Sequence, residues 1–533
     1  MPLKIISYFI VLLVGITPIH AAPPRLFHFP LDSASTQRDQ TENVERFKLL
    51  DPVLRNTRNT TSVVVALAPE TTEATERHNR VAARKKQTHI ICHRGASEFA
   101  HENTLEAYRA TFELGADGNE IDIRMTRDGM LVCFHDDMLD QLLEAYGDVS
   151  DVTWAELQQF RFRAPGRFGE QCRIPTLAEV FELHRQYAGL MHLDIKRPNL
   201  DLAIAKLLDQ MDLWEHVISC SAELGAAIVK NPRVSLCRYK GGLYLDHGEV
   251  FPESIAKVLQ QPGEGVIVDD PRGAILALGR KLGRVSTQPV APRTLRVNDQ
   301  PSAVPKEADL LAVLRDNSDW DQVGQTDAER LSSGQRILAR ARACDQLLSI
   351  KATSPEVFAA LESRVRQRSL HKDWQFHGLD GALALRTLIL LHAPQAAEVA
   401  RFALWRDDRA LEPVVNPLYK NPRAWTDFRV KMVIFPALAR NPGLEAEQVC
   451  RDYLALTDDV AKQLGPSQFK PAGRALLAIS PKTETALELL RHRLQAVRGR
   501  AILDCLAHAS EAWAQKALQQ GATHALAYVV PGF

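Results

Sequence analysis

The sequence predicts an α/β domain followed by an all-α domain. Two observations carry this reading. Between Thr88 and Leu282 short apolar runs alternate with helical patterns, and from Glu307 the pattern is helical almost to the end. Alternating strand and helix implies a parallel sheet, either open and doubly wound or closed into a barrel. The 533 residues are too many for one ordinary domain.

The elements follow in order. The apolar runs His89–Cys92, Asn119–Met125, Met130–His135, Met191–Lys196, Val217–Cys220, Val234–Tyr239 and Val266–Val268 are read as strands. Thr104–Leu114, Thr153–Phe160, Thr176–Tyr187, Leu200–Met211, Ser221–Lys230 and Pro252–Gln260 are read as helices between them. Residues 285–306 hold Pro289, Pro292, Pro301 and Pro305 in a polar background, the composition of a linker. Residues 307–533 then read as an α-helical domain, a helical-repeat solenoid or a bundle, without a strict repeat. Its segments include Ala308–Leu314, Gly334–Ala343, Pro355–Gln367, Gly381–Leu391, Glu445–Leu456, Thr483–Val497 and Ala501–Ala509. Trp320, Trp374, Trp405, Trp425 and Trp513 are expected as core anchors; His371, His377 and His392 form no obvious metal motif.

Ahead of the α/β domain, residues 1–22 read as a signal peptide. Lys4 precedes the apolar run Ile5–Ile16, and the small residues Ala21 and Ala22 offer a cleavage point. The run is too short to span a bilayer, which takes about 20 apolar residues. Export to the periplasm or full secretion is therefore expected. Residues 23–86 are polar and weakly periodic, and read as a loosely ordered leader before a barrel-or-sheet domain at 87–284.

Charge narrows the function. Lys+Arg and Asp+Glu each number 65, so the chain lacks the basic excess of a nucleic-acid binder, and no nucleic-acid partner is expected. The eight cysteines are scattered without a CxxC pair, which disfavours a zinc site and leaves buried free thiols as the plain reading.

The chemistry lies in two strands. Side chains alternate faces along a strand, so Glu120, Asp122 and Arg124 share one face, and His192, Asp194 and Lys196 share another. Strands of a parallel sheet are covered on both sides, and charges there need partners or a metal. Three carboxylates supply oxygen ligands for a hard divalent cation, and a lysine and an arginine suit a phosphate. His93 and His135 follow two further strands, at the strand-to-loop junctions where α/β barrels place catalytic groups. Two histidines can divide general acid and general base duty across one scissile bond.

Five segments in this order resemble the glycerophosphodiester phosphodiesterases: His93-Arg94-Gly95-Ala96, Glu102-Asn103-Thr104, Gly115-Ala116-Asp117-Gly118-Asn119-Glu120-Ile121-Asp122, Thr126-Arg127-Asp128-Gly129 and His135-Asp136-Asp137. The resemblance runs from about Thr88 to Leu282. It implies a (β/α)8-type TIM barrel, like that of the phosphatidylinositol-specific phospholipases C. It also implies calcium- or magnesium-dependent hydrolysis of a small-molecule glycerophosphodiester to glycerol 3-phosphate and an alcohol. By position, the resemblance makes Glu120, Asp122 and Asp194 the metal ligands and His93 and His135 the acid/base pair. Arg94 and Lys196 become phosphate ligands, and Glu102 and Asn103 order the site.

Four departures accompany the resemblance. His101 stands where the family has proline. Asp194 replaces a glutamate. Leu139-Asp140-Gln141-Leu142-Leu143 lacks the family's arginine and threonines. The penultimate strand with its Trp-Thr signature is not visible, so the barrel is one βα unit short or closes through Gly241–Asp246 as an irregular strand. Tyr239, Lys240 and Tyr244 then become candidate substrate contacts. Two alternatives remain at this point: an enzyme for another lipid-derived phosphodiester, and a non-catalytic binding protein on a degenerate barrel. The helical domain is expected to be a scaffold or a platform for a protein partner.

Overall fold

The computed structural model describes residues 71–136, 139, 142–145, 149–162, 172–197, 199–220, 231–245, 251–290, 305–317, 327–367, 378–405, 422–442 and 445–521. The expected signal peptide, the leader up to residue 70, the helix at Ser221–Lys230 and Asp137 lie outside the described residues. So do Trp320, Trp374, His371 and His377.

The leader does not stay irregular up to the barrel. Residues Thr72–Lys85 form helix α1, capped by the Thr71 hydroxyl, which accepts from the Ala74 N–H at 3.1 Å. Its apolar stripe is narrow, only Ala74 and Val81, because its third buried residue is Arg77. Arg77 donates to the Asp212 carboxylate at 2.6 Å, and Arg84 donates to Asp117 at 3.2 Å. Polar composition therefore hid a packed helix: its buried face is held partly by ion pairs.

After α1 come β1 (His89–Cys92), α2 (Leu105–Leu114), β2 (Gly118–Met125), β3 (Leu131–Cys133), α3 (Trp154–Leu157) and α4 (Leu177–Tyr187). Then follow β4 (Leu190–Ile195), α5 (Asp201–Met211), β5 (Val217–Cys220), β6 (Tyr239–Leu243), α6 (Pro252–Leu259), β7 (Gly265–Val268) and α7 (Pro271–Ala277). Six strands pair in parallel in the order β5-β4-β2-β1-β7-β6. This is chain order wrapped round on itself, the order of a (β/α) barrel, and the sheet curls accordingly. The seam falls between β5 and β6, where the Cys237 N–H donates to the Ile218 carbonyl at 2.8 Å.

Alternation places Ile91, Leu190, Ile218 and Ile267 in the interior, where they pack with Val81. Helix α1 thus plugs the end at which the strands begin. Ile90, Cys92, Val266 and Val268 point outward to the surrounding helices.

Two expected strands differ. Met130–His135 is not a member of the parallel set: β3 runs antiparallel to β2, with Ile123 opposite Cys133. The cause is the short Thr126–Gly129 turn, closed by the Gly129 N–H on the Thr126 carbonyl at 3.0 Å. A parallel return needs a crossover of about a dozen residues. Val234–Tyr239 is no strand either; the sheet is joined only from Tyr239, and its register slips between Tyr239 and Gly241. This irregular β6 takes up Gly241–Leu243 of the strand expected at Gly241–Asp246, of which Asp246 lies outside the described residues.

The helical region holds α8 (Glu307–Arg315), α9 (Asp327–Ser349), α10 (Pro355–Arg366), α11 (Leu379–Leu390), α12 (Ala396–Trp405) and α13 (Pro422–Arg440). It continues with α14 (Ala446–Leu454), α15 (Asp458–Leu464), α16 (Lys470–Ile479), α17 (Thr483–Leu490), α18 (Gln495–Ala507) and α19 (Ala512–Gln520). The expected single helix Thr483–Val497 is broken into α17 and α18. His492 stabilises the break: one ring nitrogen accepts from the Leu494 N–H at 3.2 Å and the other donates to the Leu454 carbonyl at 3.1 Å. Trp405 is not a core anchor; it is 36% exposed and meets Tyr453 edge-on.

One apolar core runs continuously from the outward residues of β1 and β7 into the helices, through Leu310, Leu383 and Leu476. Polar contacts join the same halves: Arg272 donates to the Leu506 carbonyl at 2.9 Å and Arg386 to Glu144 at 3.0 Å. All eight cysteines are free thiols, six of them buried. Among the described residues no helix is long and apolar enough to cross a membrane.

Candidate functional site

The site lies where the parallel strands end. Residue Arg94, just past β1, has a left-handed backbone (φ 58°), as does Asn103 (φ 56°). Gly95 follows with φ 84°, and a Cβ there would lie 2.8 Å from the Ala107 Cβ. Only glycine fits so close to α2 in that conformation. The resulting turn aims the Arg94 N–H at Glu120 Oε2, 2.9 Å away. Its guanidinium donates to Glu102 Oε1 at 2.9 Å and lies 3.5 Å from Asp122 Oδ2.

Asn103 holds Asp122 from beneath. Its amide donates to Asp122 Oδ2 at 2.7 Å, while its own oxygen accepts from the Tyr108 hydroxyl at 2.6 Å. Strand β2 lies in register with β4, with Glu120 opposite His192 and Asp122 opposite Asp194. The Lys196 ammonium spans Asp194 at 2.6 Å and Asp122 at 2.8 Å. Carboxylate oxygens of Glu120, Asp122 and Asp194 lie within 4.8 Å of one another.

Electrostatics divides these acids. Burial, then the adjoining Asp122 charge, pushes the Glu120 carboxyl well above the ordinary carboxylate range. Burial would raise Asp122 too, but Arg94, His135 and Lys196 hold it well below that range. Lys196 is held above its ordinary value, because its two carboxylate partners outweigh its own burial. Two buried carboxylates side by side, one short of compensating charge, are suited to a hard cation with oxygen ligands.

Each histidine is oriented by a carboxylate. His93 Nδ1 donates to Asp269 Oδ1 at 2.8 Å, and His135 Nδ1 donates to Asp136 Oδ1 at 2.8 Å. That leaves Nε2 of each ring for proton exchange. Asp269 is fixed in turn by the Leu245 N–H at 2.6 Å. Burial would lift the Asp269 carboxyl, but the His93 partnership holds it below the usual range. Arg124, on the Glu120 face of β2, grips the loop carrying His135 by donating to the His135 carbonyl at 2.6 Å.

All nine residues expected at the site are gathered here: His93, Arg94, Glu102, Asn103, Glu120, Asp122, His135, Asp194 and Lys196. Sequence reasoning gave Asp269 no role. Its position at the end of β7 is a strand-end signal of the same kind, yet its partner is 176 residues away in sequence. Tyr244 packs edge-on to His93 at 5.0 Å and Tyr239 donates to His192 at 3.0 Å, so both face the interior. Lys240 does not; it donates to the Gln261 carbonyl on the outside. His101, in place of proline, stacks on Phe162 at 4.0 Å.

The profile of the Glycerophosphoryl diester phosphodiesterase family matches residues 93–240. Over this stretch the chain is similar to that family. A glycerophosphodiester phosphodiesterase of Caldanaerobacter subterraneus subsp. tengcongensis is 38% identical over 143 residues, 25% of this chain and 58% of the relative. A namesake from Bacillus altitudinis is 31% identical over 148 residues, 26% of this chain and 60% of the relative. The chain thus spans somewhat more than half the length of these relatives. A crystal structure of the Agrobacterium tumefaciens glycerophosphodiester phosphodiesterase aligns with 36% of this chain and 100% of its own, at 18% identity and a TM-score of 0.30. The family domain begins at the first site histidine and ends within β6, so Asp269 and the whole helical region fall outside it.

Proposed function

We propose that the barrel hydrolyses glycerophosphodiesters to glycerol 3-phosphate and an alcohol, with a divalent cation, calcium or magnesium, held by Glu120, Asp122 and Asp194. The observation that carries this is the pairing of the buried carboxylate cluster with two histidines, each oriented by its own carboxylate. When bound, the cation would supply Lewis-acid polarisation of a phosphoryl oxygen. Arg94 and Lys196, beside the same carboxylates, are placed to balance the charge of the phosphodiester. Hydrolysis adds water across the P–O bond: one histidine takes the proton of the attacking oxygen and the other delivers a proton to the departing alkoxide. Asp269 and Asp136 keep the rings in the tautomer this needs.

The test is release of glycerol 3-phosphate from glycerophosphocholine by the full chain, with calcium, with magnesium and with chelator. Metal-dependent release lost in His93→Ala and Glu120→Ala supports the reading. No release from a folded chain with either cation overturns it in favour of another phosphodiester. Export through residues 1–22 is part of the same proposal, and N-terminal sequencing of the mature protein from its native host tests it.

A further inference from the structure

The interior of the barrel is layered. Ile91 lies opposite Gly118 and Ile267, and Gly118 lies opposite Leu190. Ile91, Leu190, Ile218 and Ile267 close the starting end against Val81 of α1. Side chains return to the same face every second residue, so Asp269, His93, Glu120 and His192 form the next layer up. The first three already have parts in the site. His192 has none.

His192 is aimed by Tyr239. The Tyr239 hydroxyl donates to His192 Nδ1 at 3.0 Å, and the two rings stack at 5.5 Å. Strands β4 and β6 are not neighbours in the sheet, so this contact is made across the interior. With Nδ1 accepting, the neutral ring carries its proton on Nε2. Among the described residues His192 makes no other hydrogen bond. It is only partly buried, although it points into a barrel whose floor, Ile91, Leu190 and Ile218, is fully buried. Solvent therefore reaches it from the mouth, by the route a substrate takes. Its Nε2–H is a donor turned toward that mouth, in the layer of Glu120 and one layer below Asp122 and Asp194.

We propose that His192 donates from Nε2 to an oxygen of the bound glycerol phosphate moiety, and that Tyr239 is the positioning residue that holds the ring in the tautomer this needs. The contact rests on the glycerophosphodiester reading of the barrel. It adds a fixed neutral donor on the β4 side of the site, where Lys196 supplies the positive charge. Charge alone draws the phosphate in without orienting it; a single N–H on a ring held by a neighbour gives direction. A phosphoryl oxygen and a glycerol hydroxyl offer the same acceptor chemistry, and inorganic phosphate set against glycerol 3-phosphate separates them.

The experiment is calorimetric titration of the full chain with glycerol 3-phosphate, in calcium and in magnesium, and with inorganic phosphate in magnesium. His192→Phe keeps a stacking ring and removes the donor. It is expected to weaken glycerol 3-phosphate about tenfold, the worth of one well-made hydrogen bond. His192→Gln, which returns an N–H, is expected to recover part of that loss. Inorganic phosphate weakened to the same degree puts the acceptor on the phosphate; inorganic phosphate unchanged puts it on the glycerol. Glycerol 3-phosphate bound equally by the wild type and His192→Phe overturns the contact alone. No binding of it to the wild type with either cation overturns the barrel reading as well. Nitrogen-15 NMR of the neutral His192 ring is a readout apart from binding. The wild type is expected to show an Nε2-protonated ring, and Tyr239→Phe a mixture of tautomers. An Nδ1-protonated ring in the wild type overturns the donor, and a ring unchanged by Tyr239→Phe overturns the part given to Tyr239.

Discussion

The two ends of the barrel carry similar inventories and use them differently. Where the strands begin, His78, Asp212 and Glu215 bring their ligand atoms within 4.8 Å of one another, as Glu120, Asp122 and Asp194 do at the other end. Composition alone makes both a metal site. At the starting end the acids are fully engaged: Arg77 and Arg233 both reach Asp212, Arg233 also reaches Glu215, and His78 lies 3.2 Å from Asp212. Burial would raise the Asp212 carboxyl, but these cations hold it below its ordinary value. At the other end two carboxylates are buried side by side and one is forced upward. One cluster has settled its charge and fastens α1 to the barrel. The other retains electrostatic strain, the mark of a working site.

The largest expected effect is at the strained end. His93→Ala should lower kcat/KM by about 10²–10⁴-fold, the usual worth of a general acid or base, with the urea midpoint almost unmoved because His93 is partly exposed. Asp269→Asn should lower it less, since it disturbs the ring's orientation and leaves the imidazole in place. Equal losses in the two would mean that Asp269 does more than orient.

Next comes the settled end. Arg77 is buried and Asp212 depends on it, so Arg77→Ala should cost about 3 kcal/mol of stability, the range for removing one partner of a buried pair. The rate per folded molecule should not change. A loss of rate at full stability would show that α1 shapes the site from below, against the division of labour drawn here.

How much of this was legible in sequence follows from the range of each interaction. The period-two pattern through Glu120 and Asp122, and through His192 and Asp194, is local, and it correctly put the acids on one face. The turn at Thr126–Gly129 is equally local, and its shortness already required an antiparallel β3. Helix α1 was hidden because Arg77 occupies a position where a helix is expected to bury an aliphatic residue. Asp269 was hidden because it meets His93 only when the barrel closes.

Acid sensitivity between pH 7 and 4.5 should come from the barrel wall, against an opposite contribution from the raised Glu120 carboxyl. His184, on α4, is fully buried against Tyr108 and Phe112 of α2, its Nδ1 donating to the Val180 carbonyl at 2.8 Å. Burial lowers its pKa from 6.5 to about 4. Between those values the unfolded chain binds a proton that the folded chain refuses, so stability rises with pH through this window and falls on acidification. The loss should approach about 3 kcal/mol from His184 alone, and His216, also lowered by burial, adds to it. Urea midpoints at pH 7, 5.5 and 4.5 check the sign; a midpoint that rose on acidification would contradict it.

The smallest effect sharpens the comparison most. His78 is partly exposed and is the third partner of acids that two arginines already serve. His78→Ala should therefore cost about 0–1 kcal/mol, as for a surface pair, and should leave calcium or magnesium binding untouched in calorimetric titration. Glu120→Ala should abolish that binding in the same assay. If His78→Ala also removed a bound cation, the starting end would hold a metal after all. Arginine pairing would then be no guide to which acid cluster in this barrel is free to take one.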